Sequence, residues 1–200
     1  MKLRFSATSP YVRKVLATAY ETGLEGRIER LPTAVWAPDT DIAKDNPLGK
    51  VPALVTDEGE VLYDSPVICE YLDSLHKGTR LFPAAGPARW KAITLQALAD
   101  GILDAAILRR LESQQPPAQQ SQGWLARQAA AVKRGMDALE AEAGGWGDPP
   151  TIGQIAAGCA CGYLDFRFAQ EDWRPGRPKL AAWYKHFAQR PSMQATAPKE

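Results

Sequence analysis

Ser9-Pro10-Tyr11-Val12-Arg13-Lys14-Val15 is the stretch that decides the fold. It follows a short strand candidate, Lys2 to Phe5, and reads as the opening of a helix over Pro10 to Thr22. Serine is a good N-cap, and proline at the first helical position has φ preset and lacks an N–H that the helix start cannot use. A strand running into a helix N-terminus concentrates partial positive charge beside the Ser9 hydroxyl. An anion such as a thiolate is stabilised at such a junction.

Outward from that helix, short strand-like and helix-like segments alternate to about Leu75, the pattern of an α/β layer. Arg27 to Leu31 reads as a strand. Ala53 to Thr56 and Val61 to Tyr63 read as a hairpin turned by Asp57-Glu58-Gly59-Glu60. A second helix is expected from Ser65, with Ser65 as N-cap, Pro66 at the first helical position, and Val67, Ile68, Tyr71, Leu72 and Leu75 at helical spacing. His76 to Pro87 holds two glycines and two prolines and no sustained period, as a connection does.

Beyond it only helices are predicted. Ala88 to Glu112 is apolar on more than one face, and Leu125, Ala129, Val132, Met136 and Leu139 form one stripe. Thr151-Ile152-Gly153-Gln154 fits a capping box, and Ile155 to Leu164 is nearly all small or apolar, as in a buried helix. Pro178 to Gln189 reads as the last helix. The expected organisation is a first unit at 1–77, a linker at 78–87 and an all-helical unit at 88–200.

Composition restricts the function classes. A net charge of +1, with 45% hydrophobic and 24% charged residues, describes a soluble globular protein and gives no support to nucleic-acid binding. Apolar runs stop short of the roughly 20 residues a membrane span needs, and the N-terminus lacks a signal-peptide core, so a cytoplasmic location is expected. Cys69, Cys159 and Cys161 sit in apolar helical patterns and read as buried thiols. His76 and His186 belong to no metal-ligand spacing; no metal site is expected.

Two further stretches, Asn46-Pro47-Leu48-Gly49-Lys50-Val51-Pro52-Ala53-Leu54 and Asp64-Ser65-Pro66, join the Ser9 motif and the change to an all-helical second unit. Together they resemble the cytosolic glutathione S-transferases, in a bacterial, serine-type form. The resemblance spans essentially the whole chain, including Pro178, Leu180, Trp183 and Arg190-Pro191-Ser192 near its end. It implies a thioredoxin-like α/β first domain followed by an all-α helical bundle. It also implies activation of glutathione as a thiolate and its conjugation to a small electrophile, with glutathione as co-substrate, no separate cofactor, and a homodimer.

Residue by residue, the resemblance gives Ser9 the glutathione sulfur, with Thr8, Ser6 and Tyr11 close enough in sequence to be rivals. Val51, before a cis-proline at Pro52, would pair through its backbone with the cysteinyl part. Ser65 and Asp64 would hold the γ-glutamyl end, and Lys50 the glycyl carboxylate. The absence of cysteine at the Ser9 position disfavours thiol–disulfide exchange. A binding or assembly module without efficient turnover, or a glutathione-dependent isomerase or dehalogenase, remains an alternative. In the family the electrophile is met by early helices of the second domain, where Trp90, Ile107, Leu108 and Leu111 are candidates; as an apolar helical stripe they read first as core. Gln154 stands where the family's buried cap usually carries aspartate.

Overall fold

The computed structural model describes residues 1–199 of the chain. By their internal contacts these form two compact units, Met1–Ala84 with the stretch from Pro191 onward, and Ala85–Arg190.

In the first unit a four-stranded sheet has the order β2-β1-β3-β4, with β1 Lys2–Phe5, β2 Glu29–Pro32, β3 Ala53–Val55 and β4 Val61–Leu62. β1 runs parallel to β2 and antiparallel to β3, and β4 is antiparallel to β3. Helices α1, Pro10–Glu21, and α2, Ser65–Ser74, pack against each other. On these helices Val12, Val15, Leu16, Ile68 and Leu72 are buried, and Leu3 and Leu54 from paired strands are fully enclosed. This is the expected thioredoxin-like layer.

Some boundaries differ from the sequence expectation. β2 starts at Glu29 rather than Arg27, because Glu25–Arg27 closes into a 3-10 turn. The Met1 ammonium donates to the Arg27 carbonyl at 3.1 Å and to Asp57 at 2.5 Å, and Arg27 donates to Asp57 at 2.9 Å. Those two partners, the ammonium first, hold the Asp57 carboxyl below the usual carboxylate range. A carboxyl depressed on folding adds stability above its unfolded value of about 3.9, and that stability is lost as pH falls through the folded value. Acid unfolding curves are therefore expected to show a loss below about pH 4 that shrinks in Asp57→Asn.

α2 begins at Ser65, but its N-cap is Asp64, so Ser65 is the first helical residue and Pro66 the second. Proline is tolerated there because that N–H also has no intrahelical acceptor. At the other end, buried Asp73 accepts the N–H groups of Leu81 and Phe82 at 2.8 and 3.1 Å and pairs with His76 at 2.9 Å. Part of the expected linker is thereby fastened to the first unit.

The second unit contains α3 Gly86–Ser113, α4 Gln122–Ala143, α5 Ile152–Arg167 and α6 Pro178–Phe187. α3 packs against both α4 and α5. α5 is buried from Ile152 through Leu164, as its composition predicts. Its start is closed by Gln154, whose Oε1 accepts the Thr151 N–H at 2.9 Å and whose Nε2 donates to the Gly147 carbonyl at 2.7 Å. Gly153 lies so close to α3 that a Cβ on it would sit 2.7 Å from the Ala92 carbonyl oxygen and from Leu95 Cβ. Only Met136 and Leu139 of the predicted α4 stripe are deeply buried; Leu125, Ala129 and Val132 are half-buried.

Pro178–Phe187 is not the last helix. A five-residue helix α7, Pro191–Ala195, follows and packs on α1 of the first unit, where Arg13 donates to the Met193 carbonyl at 3.1 Å. One turn is too short to display a hydrophobic period, which is why the sequence pattern did not show it.

Candidate functional site

The strand register brings the three sequence stretches to one end of the sheet. Arg4 pairs with Ala53, so the exit of β1 toward Ser9 lies beside the entry of β3, where Val51 and Pro52 precede it. Leu54 pairs with Leu62, so β4 leaves at that same end into Asp64 and Ser65. α1 and α2 both start there, and their free N–H groups make this end favourable for anions.

Ser9 is the N-cap of α1, with φ −78° and ψ 120°. Its Oγ accepts the Val12 N–H at 3.3 Å. That bond uses the oxygen as acceptor and leaves the hydroxyl proton to be donated elsewhere. The rival hydroxyls of Ser6 and Thr8 lie 3.5 Å from each other. Ser9 alone of these three joins hydroxyl and helix terminus in one residue.

Val51 precedes a cis peptide to Pro52. Among the described residues its backbone N–H and C=O form no hydrogen bond. The loop that presents it is tied down by Asn46, 1% exposed, whose Nδ2 donates to the Lys50 carbonyl at 2.8 Å and whose Oδ1 accepts the Leu48 N–H at 3.0 Å. Gly49 turns the chain at φ +64°, a conformation that favours glycine. Asn46 thus fixes this loop through its side chain, and an asparagine opening a Pro-Leu-Gly turn is a readable Asx signal.

Ser65 is 2% exposed, and no partner for its hydroxyl is formed among the described residues. Because Asp64 occupies the cap position, the Ser65 side chain is not consumed in capping. Asp64 is exposed and its side chain caps nothing. Lys50 is exposed as well, beside Val51.

Elsewhere, Trp90 and Leu108 on α3 are 63% and 42% exposed, so packing does not account for them. Ile107 and Leu111 are half-buried. The three cysteines are buried and unbridged, and burial pushes the Cys161 thiol well above its ordinary value. Among the described residues no group of His, Cys, Asp or Glu could hold a metal ion, and no helix is long and apolar enough to cross a membrane.

Comparison with known proteins bears on this arrangement. A family model described as glutathione S-transferase, N-terminal domain, matches residues 8–75, and one described as the C-terminal domain matches residues 122–186. An uncharacterized GST-like protein, YibF of Escherichia coli K12, is 38% identical over 99% of this chain and 98% of its own length. A crystal structure of a glutathione transferase family member from Pseudomonas fluorescens Pf-5, with bound glutathione, is 45% identical at a TM-score of 0.94, covering 100% of this chain and 99% of that one. A structure from the same source with bound S-(propanoic acid)-glutathione is 44% identical at a TM-score of 0.91, with both chains fully covered (100% each). On the matches to both domains and the full-length similarity, the chain belongs to the glutathione S-transferase family.

Proposed function

We propose that this protein binds glutathione at the shared end of the sheet, ionises its thiol at Ser9 and joins the sulfur to a small electrophile. The observation that carries this reading is the Ser9 hydroxyl at the N-terminus of α1, its oxygen held by the Val12 N–H. The hydroxyl proton and the helix dipole together favour a thiolate over a thiol, whose free pKa is about 8.5. The sulfur lone pair then forms the C–S bond. A leaving group departs with its electron pair, or water protonates the carbon that receives displaced π electrons.

Binding of glutathione and of a glutathione thioether by similar proteins supports the same reading. The unpaired backbone of Val51 suits the cysteinyl amide, as in strand addition. The Ser65 hydroxyl and the start of α2 suit the γ-glutamyl carboxylate, exposed Asp64 its ammonium, and Lys50 the glycyl carboxylate. Glutathione enters as co-substrate, and no separate cofactor is invoked. A homodimer in the cytoplasm goes with this reading, and light scattering tests the assembly.

An ultraviolet difference spectrum of glutathione with the protein at neutral pH is expected to show the thiolate band. Its absence, with glutathione bound, would favour a module that binds without turnover. Ser65→Ala is expected to weaken glutathione binding by about 1 to 3 kcal/mol, from loss of one hydrogen bond to a charged group. Titration calorimetry reads this directly, and unchanged affinity would remove Ser65 from the site.

A further inference from the structure

Within the first unit a second feature borders Ser9: a cavity of about 100 Å³. Its wall includes three cations, Arg13, Arg30 and Lys199, together with Ser6 and Ser9, and no acidic residue lines it among the described residues. Lys50, Val51, Asp64 and Ser65 do not line it, so glutathione held as above leaves it open.

Arg13 is 8% exposed. Its Nη2 donates to the Met193 carbonyl, while Nε and Nη1 are enclosed with no partner among the described residues. A guanidinium is always charged and offers five donors, so a single neutral carbonyl leaves most of its requirement unmet. Buried charges are stable where they are paired, and the group that would complete this one is an anion. Arg30 stands at the same cavity with its guanidinium 5.8 Å from the centre of the Phe5 ring. The cavity is smaller than the roughly 150 Å³ that accommodates a benzene ring. It suits a carboxylate or an oxyanion of similar size.

We propose that this cavity is a carboxylate subsite built on Arg13 and Arg30, and that it receives the acid group of the co-substrate. The electrophile is then a small organic acid, whose reacting carbon lies at Ser9 while its carboxylate reaches Arg13. This assignment rests on the reading of Ser9 as the sulfur site.

The test is titration calorimetry of the full chain with two glutathione thioethers, one bearing a propanoate arm and the other the neutral propanamide. The wild type is expected to prefer the propanoate about tenfold or more, the scale of a hydrogen bond to a charged group. Arg13→Gln should bring the ratio close to one with glutathione affinity kept. Arg30→Gln, at an exposed position, should lower the ratio several-fold and covers the case in which the Arg13 variant fails to fold. A wild-type ratio of one, with both thioethers bound, overturns the proposal. If neither glutathione nor a thioether binds, the sulfur-site reading fails instead. Thermal shift with sodium propionate against sodium chloride at equal ionic strength then judges the cavity alone. Stabilisation of wild type that is absent in Arg30→Gln supports a site for free carboxylates, and no stabilisation overturns it.

Discussion

Ser9→Ala is expected to slow conjugation at neutral pH by about 10- to 100-fold while changing glutathione affinity by less than about twofold. A hydrogen bond to a charged partner contributes about 1.5 to 3 kcal/mol. Lost from the thiolate alone, that raises the bound thiol's pKa by about one to two units and reduces the ionised fraction in proportion. Of glutathione the hydroxyl meets only the sulfur, so affinity falls by less than about twofold where the thiolate is no more than about half of the bound form. The direction is diagnostic: a raised thiol pKa lowers the rate at neutral pH and lets it recover as pH rises. A pH–rate profile displaced upward in Ser9→Ala therefore separates this role from a general loss of structure. The same variant removes the bond from Val12, so a stability loss of about 1 kcal/mol accompanies it. Unchanged turnover would move the sulfur to Thr8 or Ser6.

Gly153→Ala is expected to destabilise the helical unit by about 2 to 3 kcal/mol, in the upper range for overpacking a close contact. The added methyl would stand 2.7 Å from the Ala92 carbonyl oxygen and 2.7 Å from Leu95 Cβ, and neither is the end of a flexible chain. α5 is buried along that stretch and cannot move outward without opening its contact with α3. The melting temperature should fall by about 4 to 12 °C for a chain of this size. Gly101→Ala supplies the contrast. That glycine is exposed in the middle of α3 with nothing within 4 Å of a new Cβ. Alanine there should stabilise by about 0.5 to 1 kcal/mol, because glycine is the poorer helix former. Equal melting shifts in the two variants would contradict the close packing of α5 on α3.

What could be read from the sequence was local chemistry. Ser9-Pro10 announces a capped helix, Thr151 and Gln154 announce another, and the small residues after Ile155 announce burial; each depends on neighbours a few positions away. The motif around Val51-Pro52 was legible through its likeness to a family. Non-local features were not. The cap of α2 fell on Asp64 because Pro66 is tolerated at the second helical position, and nothing in Asp-Ser-Pro alone chooses between the two registers. α7 is a single turn held by its packing on α1. Arg13 drew no attention as one cation in a helix, since its isolation arises only when Met193 and its neighbours come back across it. Trp90 and Leu108 read as core from their spacing, yet spacing cannot say that one side of a long helix lacks a covering layer.

The start of α5 is closed by an amide where the family usually places a carboxylate. A carboxylate can only accept, whereas Gln154 accepts from Thr151 and at the same time donates to Gly147, binding the preceding loop to the helix it introduces. Neither bond gains or loses a proton in acid. The deeply buried helix α5 is thus closed at its beginning by a group that does not titrate, and acid leaves both of these bonds in place.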